Sequence, residues 1–353
     1  MPVIDEYLKE ILAKKGSDLH FLAGDPPRIR LYGDLQPLRP DKLDKDFVQQ
    51  TLYEIMPKTA VQRFEEHDGA DFAYNMGEYG RFRVNVMRQL NVMGAVMRAI
   101  PSKALTLEQL NLPPAIHQLC RANNGLILVT GKTGSGKSTT LAAMIDDINS
   151  RMKGHILTIE DPIEFVHRRK ECLISQREVG VHTKGFAAAL QSGLREDPDV
   201  VLVGELRDYE TISIAVTAAE MGILVMGTLH TNGAAQTVDR MVNVFPADKQ
   251  SHVRTMLSTS LRGVVSQQLL QKADKSGRVA ALEILVNTPA VSNLIRQGKL
   301  DQLETTMQSG SQFGMRTMDN AIEQLLKDRI ITGKEAYKKG ISKAKFEPVK
   351  DQG

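Results

Sequence analysis

Tryptophan is absent from this 353-residue sequence, and cysteine occurs only twice. Cys120 and Cys172 stand alone, without a CxxC motif or a Cys/His spacing, which argues against a zinc site and against a disulfide framework. No stretch of about 18 apolar residues occurs, so no transmembrane helix is predicted. The first residues also lack the basic segment followed by an apolar one that a secretory signal requires. We therefore expect a cytoplasmic protein that does not insert directly into a membrane.

An excess of charge of one sign is also missing. The 45 Lys and Arg residues, against 42 Asp and Glu residues, give a formal net charge of +3. A dedicated nucleic-acid-binding protein is expected to be strongly basic, so this balance argues against a nucleic-acid partner. The length favours two domains, because single hydrophobic cores rarely grow beyond about 250 to 300 residues.

The first part of the chain has the pattern of an α+β domain. Ile4, Leu8 and Ile11 share one helical face, which predicts a short N-terminal helix. Strand-like segments separated by turn residues follow, and the stretch from 70 to 100 has the pattern of antiparallel hairpins. We assign residues 1–100 to this domain, and the turn residues within 101–114 predict a linker.

From residue 115 onward, apolar runs alternate with helical patterns, which is typical of a parallel sheet with helices on both faces. The predicted strands lie near 126–130, 156–159, 200–203 and 223–228, and the predicted helices near 139–150, 185–194 and 211–221. Two later segments, 264–270 and 278–286, predict a hairpin added to this sheet. In this 115–353 domain we expect helices over about 288–343 and a loose tail from residue 343.

A glycine-rich segment, residues 131–138, reads Gly-Lys-Thr-Gly-Ser-Gly-Lys-Ser and stands between an apolar run and a helical pattern. Its glycines let successive backbone amides point at phosphate oxygens, and the following helix adds the positive end of its dipole. Lys137 can reach the β- and γ-phosphates, and Ser138 offers a hydroxyl to Mg²⁺. The predicted nucleotide-binding residues are therefore Thr133, Gly134, Ser135, Gly136, Lys137, Ser138 and Thr139.

Acidic residues follow two of the predicted strands. Glu160, Asp161 and Glu164 come after one apolar run, and Glu205 follows another. Because the carboxyl ends of parallel strands form the ligand crevice of an open α/β sheet, both clusters should face the glycine-rich loop. Glu205 is the candidate general base, with Glu164 as its catalytic alternative. We expect Glu160, Asp161 and Glu164 to hold Mg²⁺ with Ser138, although acids at loop positions are also common solvated groups.

His230 ends the next apolar run and is a third candidate catalytic residue. Its imidazole could sense the γ-phosphate or relay a change to the next helix. A lone histidine in such a position is equally consistent with a structural role.

Four segments together resemble the secretion ATPases of the type II secretion and type IV pilus superfamily. They are Gly131–Ser138, Glu160–Glu164, Arg195–Asp208 and Gly227–Asn232, which correspond to that family's Walker A motif, Asp box, Walker B motif and His box. The run from Ala234 to Pro246 is similar to the pilus retraction ATPases of the superfamily.

The resemblance implies an α/β protein in which a PAS-like α+β domain precedes a RecA-like P-loop ATPase domain with C-terminal helices. It also implies ATP and Mg²⁺ as cofactors, and a homohexameric ring that hydrolyses ATP to retract a type IV pilus in twitching motility. The expected partners are an inner-membrane platform protein and paralogous pilus ATPases. The protein would then lie peripherally at the inner membrane through the pilus machine.

Arginines of the N-terminal domain approach the bound phosphates in this superfamily, and Arg83 and Arg98 match those positions. A cation there would stabilise charge that develops on the γ-phosphoryl group. Considered without the family, both arginines could equally be the solvated face of a hairpin.

The sequence departs from the family pattern at three positions. Lys132 stands where the family's loop usually has Pro, outside the Gly, Lys and Ser positions that bind phosphate. Ser292 replaces an Arg and Gln297 a Glu in a C-terminal run that retraction ATPases share, which bears on coupling to retraction and not on hydrolysis.

Three alternatives to a retraction motor remain open from the sequence. One is a sister motor for pilus assembly or type II secretion. Another is a nucleotide-binding ring that serves mainly as an adaptor for a paralogous motor. A RecA-like nucleic-acid motor is the third, and the near-neutral charge argues against it.

Overall fold

The computed structural model describes residues 2–31, 34–90, 92–100 and 104–351. The chain divides into two compact units, residues 1–103 and residues 104–353. The helices are α1 (Ile4–Ala13), α2 (Lys45–Ile55), α3 (Lys58–His67), α4 (Pro114–Leu119), α5 (Lys137–Asn149), α6 (Phe186–Gly193), α7 (Tyr209–Glu220), α8 (Ala234–Asn243), α9 (Gln250–Ser260), α10 (Pro289–Gln297), α11 (Leu303–Ser309), α12 (Met318–Lys327), α13 (Gly333–Lys339) and α14 (Lys343–Phe346). Short 3₁₀ turns lie at Gly77–Tyr79, Leu300–Gln302, Ser311–Phe313 and Glu347–Val349.

The strands fall into two sheets, one in each unit. They are β1 (Asp18–Leu22), β2 (Arg28–Leu31), β3 (Asp34–Pro37), β4 (Gly69–Asn75), β5 (Arg81–Gln89), β6 (Val92–Ile100), β7 (Gly125–Thr130), β8 (His155–Glu160), β9 (Leu173–Glu178), β10 (Val200–Val203), β11 (Leu224–Leu229), β12 (Leu261–Gln271) and β13 (Arg278–Val286). The strand order is β3-β2-β1-β6-β5-β4 in the first sheet and β13-β12-β7-β11-β10-β8-β9 in the second.

The first unit is an antiparallel sheet with helices against one face. Every pair of neighbouring strands in this sheet is antiparallel. The predicted N-terminal helix is α1, and its apolar stripe is fully buried in the core of this unit. Strand β5 alternates as a sheet with one solvated face requires, with Phe82 and Val84 buried while Arg83 and Asn85 are exposed.

The second unit is a parallel sheet extended by one antiparallel strand. Neighbouring strands from β12 to β9 are parallel, and β13 pairs with β12 in the opposite direction. Strands β7, β10 and β11 are buried along their whole length, because helices cover both faces of the sheet. The predicted α/β class, an α+β domain followed by a RecA-like domain with C-terminal helices, is confirmed.

Two segments differ from the sequence-based expectations. Residues 101–103 of the expected linker lie outside the described residues, while Leu107 and Leu112 are buried in the core of the second unit. The loose tail expected from residue 343 is wrong for its first residues, which form α14. Phe346 is only 2% exposed and packs with Met318 and Ile322, so one aromatic side chain anchors a segment that otherwise reads as solvated.

Within the described ranges, no helix has both the length and the apolar character of a membrane span.

Candidate active site

The glycine-rich loop connects the end of β7 to the start of α5, as the sequence predicts. Gly131 has φ +138° and Gly136 has φ +90°, which are left-handed values that favour glycine. A Cβ atom at position 131 would lie 2.3 Å from the Gln267 carbonyl oxygen, so a side chain cannot be accommodated there. The hydroxyl Oγ of Ser135 is buried and has no hydrogen-bond partner within the described residues. An unpartnered donor and a glycine-lined turn fit a loop that binds an anion.

Gln267 holds this loop in place from β12. Its side-chain Nε2 donates to the carbonyl oxygen of Ser135 (2.7 Å), and its Oε1 accepts from the hydroxyl of Thr140 (2.8 Å). The residue is 3% exposed, so both hydrogen bonds are shielded from water. Gln267 is not among the residues predicted from the sequence. The only available signal was a polar pair, Gln267 and Gln268, inside an otherwise apolar strand.

Lys137 is buried in the first turn of α5. Its Nζ donates to the carbonyl oxygens of Gly131 (2.8 Å) and Lys132 (3.2 Å). Burial lowers the pKa of this ammonium group, and the nearby carboxylates of Glu205 and Glu164 partly oppose that effect. Lys137 therefore lies between the loop that would carry phosphate and the predicted acidic groups.

One cavity of about 520 Å³ brings together the predicted residues of the second unit. The predicted residues that line it are Thr133, Gly134, Gly136, Lys137, Ser138, Thr139, Glu160, Asp161, Glu164, Glu205 and His230. Ser135 lines an adjoining cavity instead. The acids at the ends of the strands therefore line the same cavity as the glycine-rich loop, as expected.

Glu205 is fixed by its neighbours along the chain. The amide of Gly204 donates to the carbonyl oxygen of Ile159 on β8 (2.7 Å), and the amide of Leu206 donates to that of Thr228 on β11 (2.9 Å). The residue between them is therefore held at the carboxyl ends of two adjacent strands, where ligands bind in open α/β sheets.

Two basic side chains contact the Glu205 carboxylate. Nη2 of Arg207 lies 2.6 Å from Oε2, and Nε2 of His230 lies 3.3 Å from Oε1. Burial would raise the pKa of Glu205, but the contacts with Arg207 and His230 outweigh burial and lower it below the usual value. Glu205 is consequently a carboxylate at neutral pH. Arg207 lies within the Walker B segment but is not among the residues predicted from the sequence.

Glu160 has a different environment, at the end of β8. Its carboxyl group accepts hydrogen bonds from the hydroxyl of Thr158 (2.7 Å), the side-chain amide of Gln176 (3.3 Å) and the backbone amide of Glu164 (3.4 Å). Burial nevertheless raises the pKa of Glu160 above its usual value. Asp161 and Glu164 are exposed at the cavity. Glu160 differs from these two acids because side-chain hydrogen bonds from Thr158 and Gln176 hold it.

The fit of this cavity to Mg²⁺ depends on ligands from outside the protein. Over the part of the chain that is described, no three His, Cys, Asp or Glu side chains converge closely enough to hold a metal. Mg²⁺ commonly takes only one or two protein ligands and completes its shell with phosphate oxygens and water. The cavity that contains the loop is also lined by Ser138, Glu160, Asp161 and Glu164. This arrangement is compatible with a Mg²⁺ ion that takes one or two ligands from the protein.

A second cavity, of about 570 Å³, adjoins the first and shares Thr133, Gly134, Leu269 and Arg278 with it. Its described lining includes four cations and no carboxylate: Lys132, Arg278, Lys338 and Lys339. Lys132, the departure from the family pattern, thus adds positive charge beside the loop.

Arg83 and Arg98 lie side by side in the first unit, directly paired across β5 and β6. Nε of Arg98 contacts Oδ1 of Asp18 (2.8 Å), and Nε of Arg83 lies 3.8 Å from Oδ1 of Asp71. Both arginine side chains remain at least half exposed. Their assignment to nucleotide binding stays a prediction.

The C-terminal run that contains Ser292 and Gln297, two departures from the family pattern, joins α10 to the end of α9. The hydroxyl of Ser292 donates to the carbonyl oxygen of Ser258 (2.6 Å). Nε of Arg296 donates to the side-chain hydroxyl of Ser258 (3.4 Å). Gln297, the other departure, hydrogen-bonds Asn293 one turn earlier on the exposed side of α10.

Comparison with known proteins identifies the family. Over 328 residues the chain is 50% identical to the type IV pilus retraction ATPase PilT of Pseudomonas aeruginosa, which covers 93% of this chain and 95% of that protein. It is 48% identical over 313 residues to a twitching motility protein of Neisseria gonorrhoeae, covering 89% of this chain and 84% of that one. The crystal structure of the pilus retraction motor PilT with bound ADP is similar with a TM-score of 0.92 and 43% identity, over 99% of both chains. The family model described as type II/IV secretion system protein matches residues 1–338. The chain therefore belongs to the type II/IV secretion system protein family.

Proposed function

We propose that this chain is an ATPase that powers retraction of type IV pili. The observation that carries the proposal is one cavity in which a phosphate-binding loop, a buried lysine and an ionised strand-end glutamate meet. Relatives that match nearly the whole chain are named as a pilus retraction ATPase and a twitching motility protein. The related structure with bound ADP supports nucleotide as the ligand of this cavity.

The loop binds the phosphates of ATP through backbone amides and the start of α5. Lys137 exchanges its hydrogen bonds with the carbonyls of Gly131 and Lys132 for phosphate oxygens, because an ammonium group is attracted more strongly to a negatively charged oxygen than to a neutral carbonyl. The hydrogen bonds of Gln267 to Ser135 and Thr140 keep the loop in one conformation. Binding then needs little reorganisation, which favours affinity.

Glu205 orients the water that attacks the γ-phosphoryl group. Arg207 and His230 each engage one carboxylate oxygen, but a carboxylate has about four lone-pair sites, so it can still accept a hydrogen bond from water. A carboxylate whose pKa lies below the usual value is a weak proton acceptor. We therefore assign Glu205 chiefly to positioning water, whose proton passes to an oxygen of the phosphate product as the bond to ADP breaks.

Ser138 and the carboxylates of Glu160, Asp161 and Glu164 are the groups that would hold Mg²⁺. That ion would neutralise charge on the β- and γ-phosphates. Exposed Asp161 and Glu164 are free to bind through water, while Glu160 is held by Thr158 and Gln176.

We also propose a homohexameric ring that works with a platform protein and paralogous pilus ATPases at the inner membrane. In that ring, Arg83 and Arg98 supply cations to bound phosphate. Their pairing on adjacent strands and their exposure support this assignment.

Deletion of the gene tests the direction of the motor. A retraction ATPase predicts an excess of surface pili and loss of twitching, whereas an assembly ATPase predicts that pili are absent. Complementation with the wild-type gene and with Glu205→Gln separates loss of the protein from loss of turnover. Normal retraction by the Glu205→Gln strain would contradict the role of Glu205 in the turnover that drives retraction.

A further inference from the structure

Glu283 is a buried carboxylate that the proposed chemistry does not use. It lies on β13, opposite Ser266 of β12, and is 5% exposed. Oε1 accepts the backbone amide of Ala234 (2.7 Å), and Oε2 accepts the backbone amide of Met318 (3.3 Å). Ala234 is the first residue of α8, and Met318 is the first residue of α12. One side chain thus caps two helices that lie far apart in the chain.

The first of these helices follows the turn that carries His230. Residues 230–233 connect β11 to α8, and His230 contacts the Glu205 carboxylate at 3.3 Å. Gly233, which precedes Ala234, has φ +131°, and a Cβ atom there would lie 3.4 Å from Oε1 of Glu283. The turn therefore comes close to Glu283 at Gly233, whose positive φ favours glycine. Three residues separate His230 from Ala234, whose backbone amide is hydrogen-bonded to Glu283.

The second helix anchors the C-terminal helical region. Met318 and Ile322 of α12 pack with Ile331 and Phe346 in one apolar cluster. The Asp319 carboxylate accepts the backbone amides of Ile341 (2.7 Å) and Ser342 (2.9 Å), which ties α12 to the segment before α14. The position of the α12 N-terminus thus affects how α13 and α14 are held.

The chemistry of the contact makes it sensitive to small movements. The first amides of a helix have no partner within the helix, and a carboxylate is stabilised by the positive end of the helix dipole. A buried carboxylate that loses one of its two amides is left under-bonded, which is costly in a shielded environment. The two helix starts are therefore expected to move together.

We propose that Glu283 is a positioning residue that couples the His230 turn to α12, so that the nucleotide state of the active site alters the order of the C-terminal helices. The proposal rests on the proposed ATPase function. In this proposal, nucleotide bound at the site affects the C-terminal helices in addition to being hydrolysed.

Hydrogen–deuterium exchange of the full chain tests the coupling. In the wild-type protein, the amides at the start of α12 should exchange at different rates with ADP and with a non-hydrolysable ATP analogue. Glu283→Gln replaces one acceptor oxygen by an NH₂ group, so it retains the shape and breaks one of the two bonds. We expect it to bind ATP within about twofold of wild type, to turn over about tenfold more slowly, and to lose the nucleotide dependence of exchange at α12. Glu65→Gln, a change of an exposed side chain on α3 of the first unit, is the matched control and should retain that dependence.

Two results would overturn the coupling. One is a wild-type protein that hydrolyses ATP while its α12 amides exchange alike in both nucleotide states, a result that needs no variant to fold. The other is a folded Glu283→Gln protein with wild-type turnover and an unchanged exchange difference. Absence of ATP hydrolysis by the wild type would instead count against the proposed function itself.

Discussion

The two sheets of this protein place their charged side chains in different ways. The antiparallel sheet of the first unit has a solvated face, and Arg83 and Arg98 lie along it with Asp71 and Asp18 beside them. The parallel strands of the second unit are buried on both faces, and the candidate catalytic acids Glu160 and Glu205 lie where two of these strands end. Antiparallel architecture can carry charge anywhere along an exposed face, whereas a covered parallel sheet concentrates it at one edge.

This difference predicts different consequences of mutation. At the edge of the parallel sheet, the groups that contact phosphate or the attacking water act together on one ligand, so loss of any of these contacts should nearly abolish turnover. The arginines of the antiparallel sheet already have acidic neighbours, so each should modulate a reaction that proceeds slowly without it. The following variants test this contrast, from the largest expected effect to the smallest.

Lys137→Ala should have the largest effect. It removes the cation that would bind the β- and γ-phosphates, and we expect nucleotide binding to fall below detection, with kcat/KM reduced by more than about 10⁴-fold. Lys170→Ala, whose ammonium pairs with Asp146 on the opposite end of α5, is the control and should behave as wild type. Calorimetric titration with ATP and Mg²⁺ measures the difference. Retained ATP affinity in Lys137→Ala would place the nucleotide elsewhere.

Glu205→Gln should separate binding from hydrolysis. The amide keeps the size of the side chain but cannot act as a carboxylate, so we expect kcat to fall by about 10²- to 10³-fold while ATP affinity is preserved. Glu196→Gln is a matched control, because Glu196 also pairs with an arginine, Arg177, but does not line the active-site cavity. Phosphate-release assays give the comparison. Near-normal turnover in Glu205→Gln would transfer the role to Glu164.

Arg83→Ala tests the antiparallel sheet, with an expected loss of about tenfold in kcat. Arg83 is the better choice, because the carboxylate of Asp18 beside Arg98 is almost fully buried and its loss of a partner would reduce stability. The control is Arg88→Ala, on the same strand, where Arg88 pairs with Asp68. Equal turnover in the two variants would make Arg83 a solvated surface group.

Arg207→Ala should shift a pH profile more than it changes the maximal rate. Burial raises the pKa of Glu205, and Arg207 is the largest contributor that lowers it, so removing Arg207 raises this pKa. The reaction requires the carboxylate and slows as pH falls through its pKa, which lies below 4.5 in the wild type. The acid limb of kcat/KM should therefore move to higher pH in the variant. Arg177→Ala should leave that limb unchanged, and coincident limbs for wild type and Arg207→Ala would count against the assignment.

The sequence predicted the fold class, and most of the site residues that it predicted in the second unit line one cavity, because their signals are local. A glycine-rich loop between a strand and a helix, and an acid directly after an apolar run, can be recognised within about ten residues. The predicted hairpin of β12 and β13 and the strands β7, β8, β10 and β11 are confirmed for the same reason.

Residues that act across long sequence separations were missed. Gln267 reaches a loop 132 residues away, and Glu283 caps α8 from 49 residues away. Nothing in the local sequence shows which polar residue of an apolar strand finds a distant backbone partner. Phe346 was missed because a single aromatic residue among lysines gives no periodic signal, although its burial decides that the segment is ordered.

Phosphate release from ATP by the purified full chain is the most direct test of the central claim, that the cavity around Lys137 and Glu205 hydrolyses nucleotide. The account predicts saturable, Mg²⁺-dependent turnover by the wild-type protein. Tight binding of ATP without release of phosphate under the same conditions would contradict it, and would favour a nucleotide-binding adaptor for a paralogous motor.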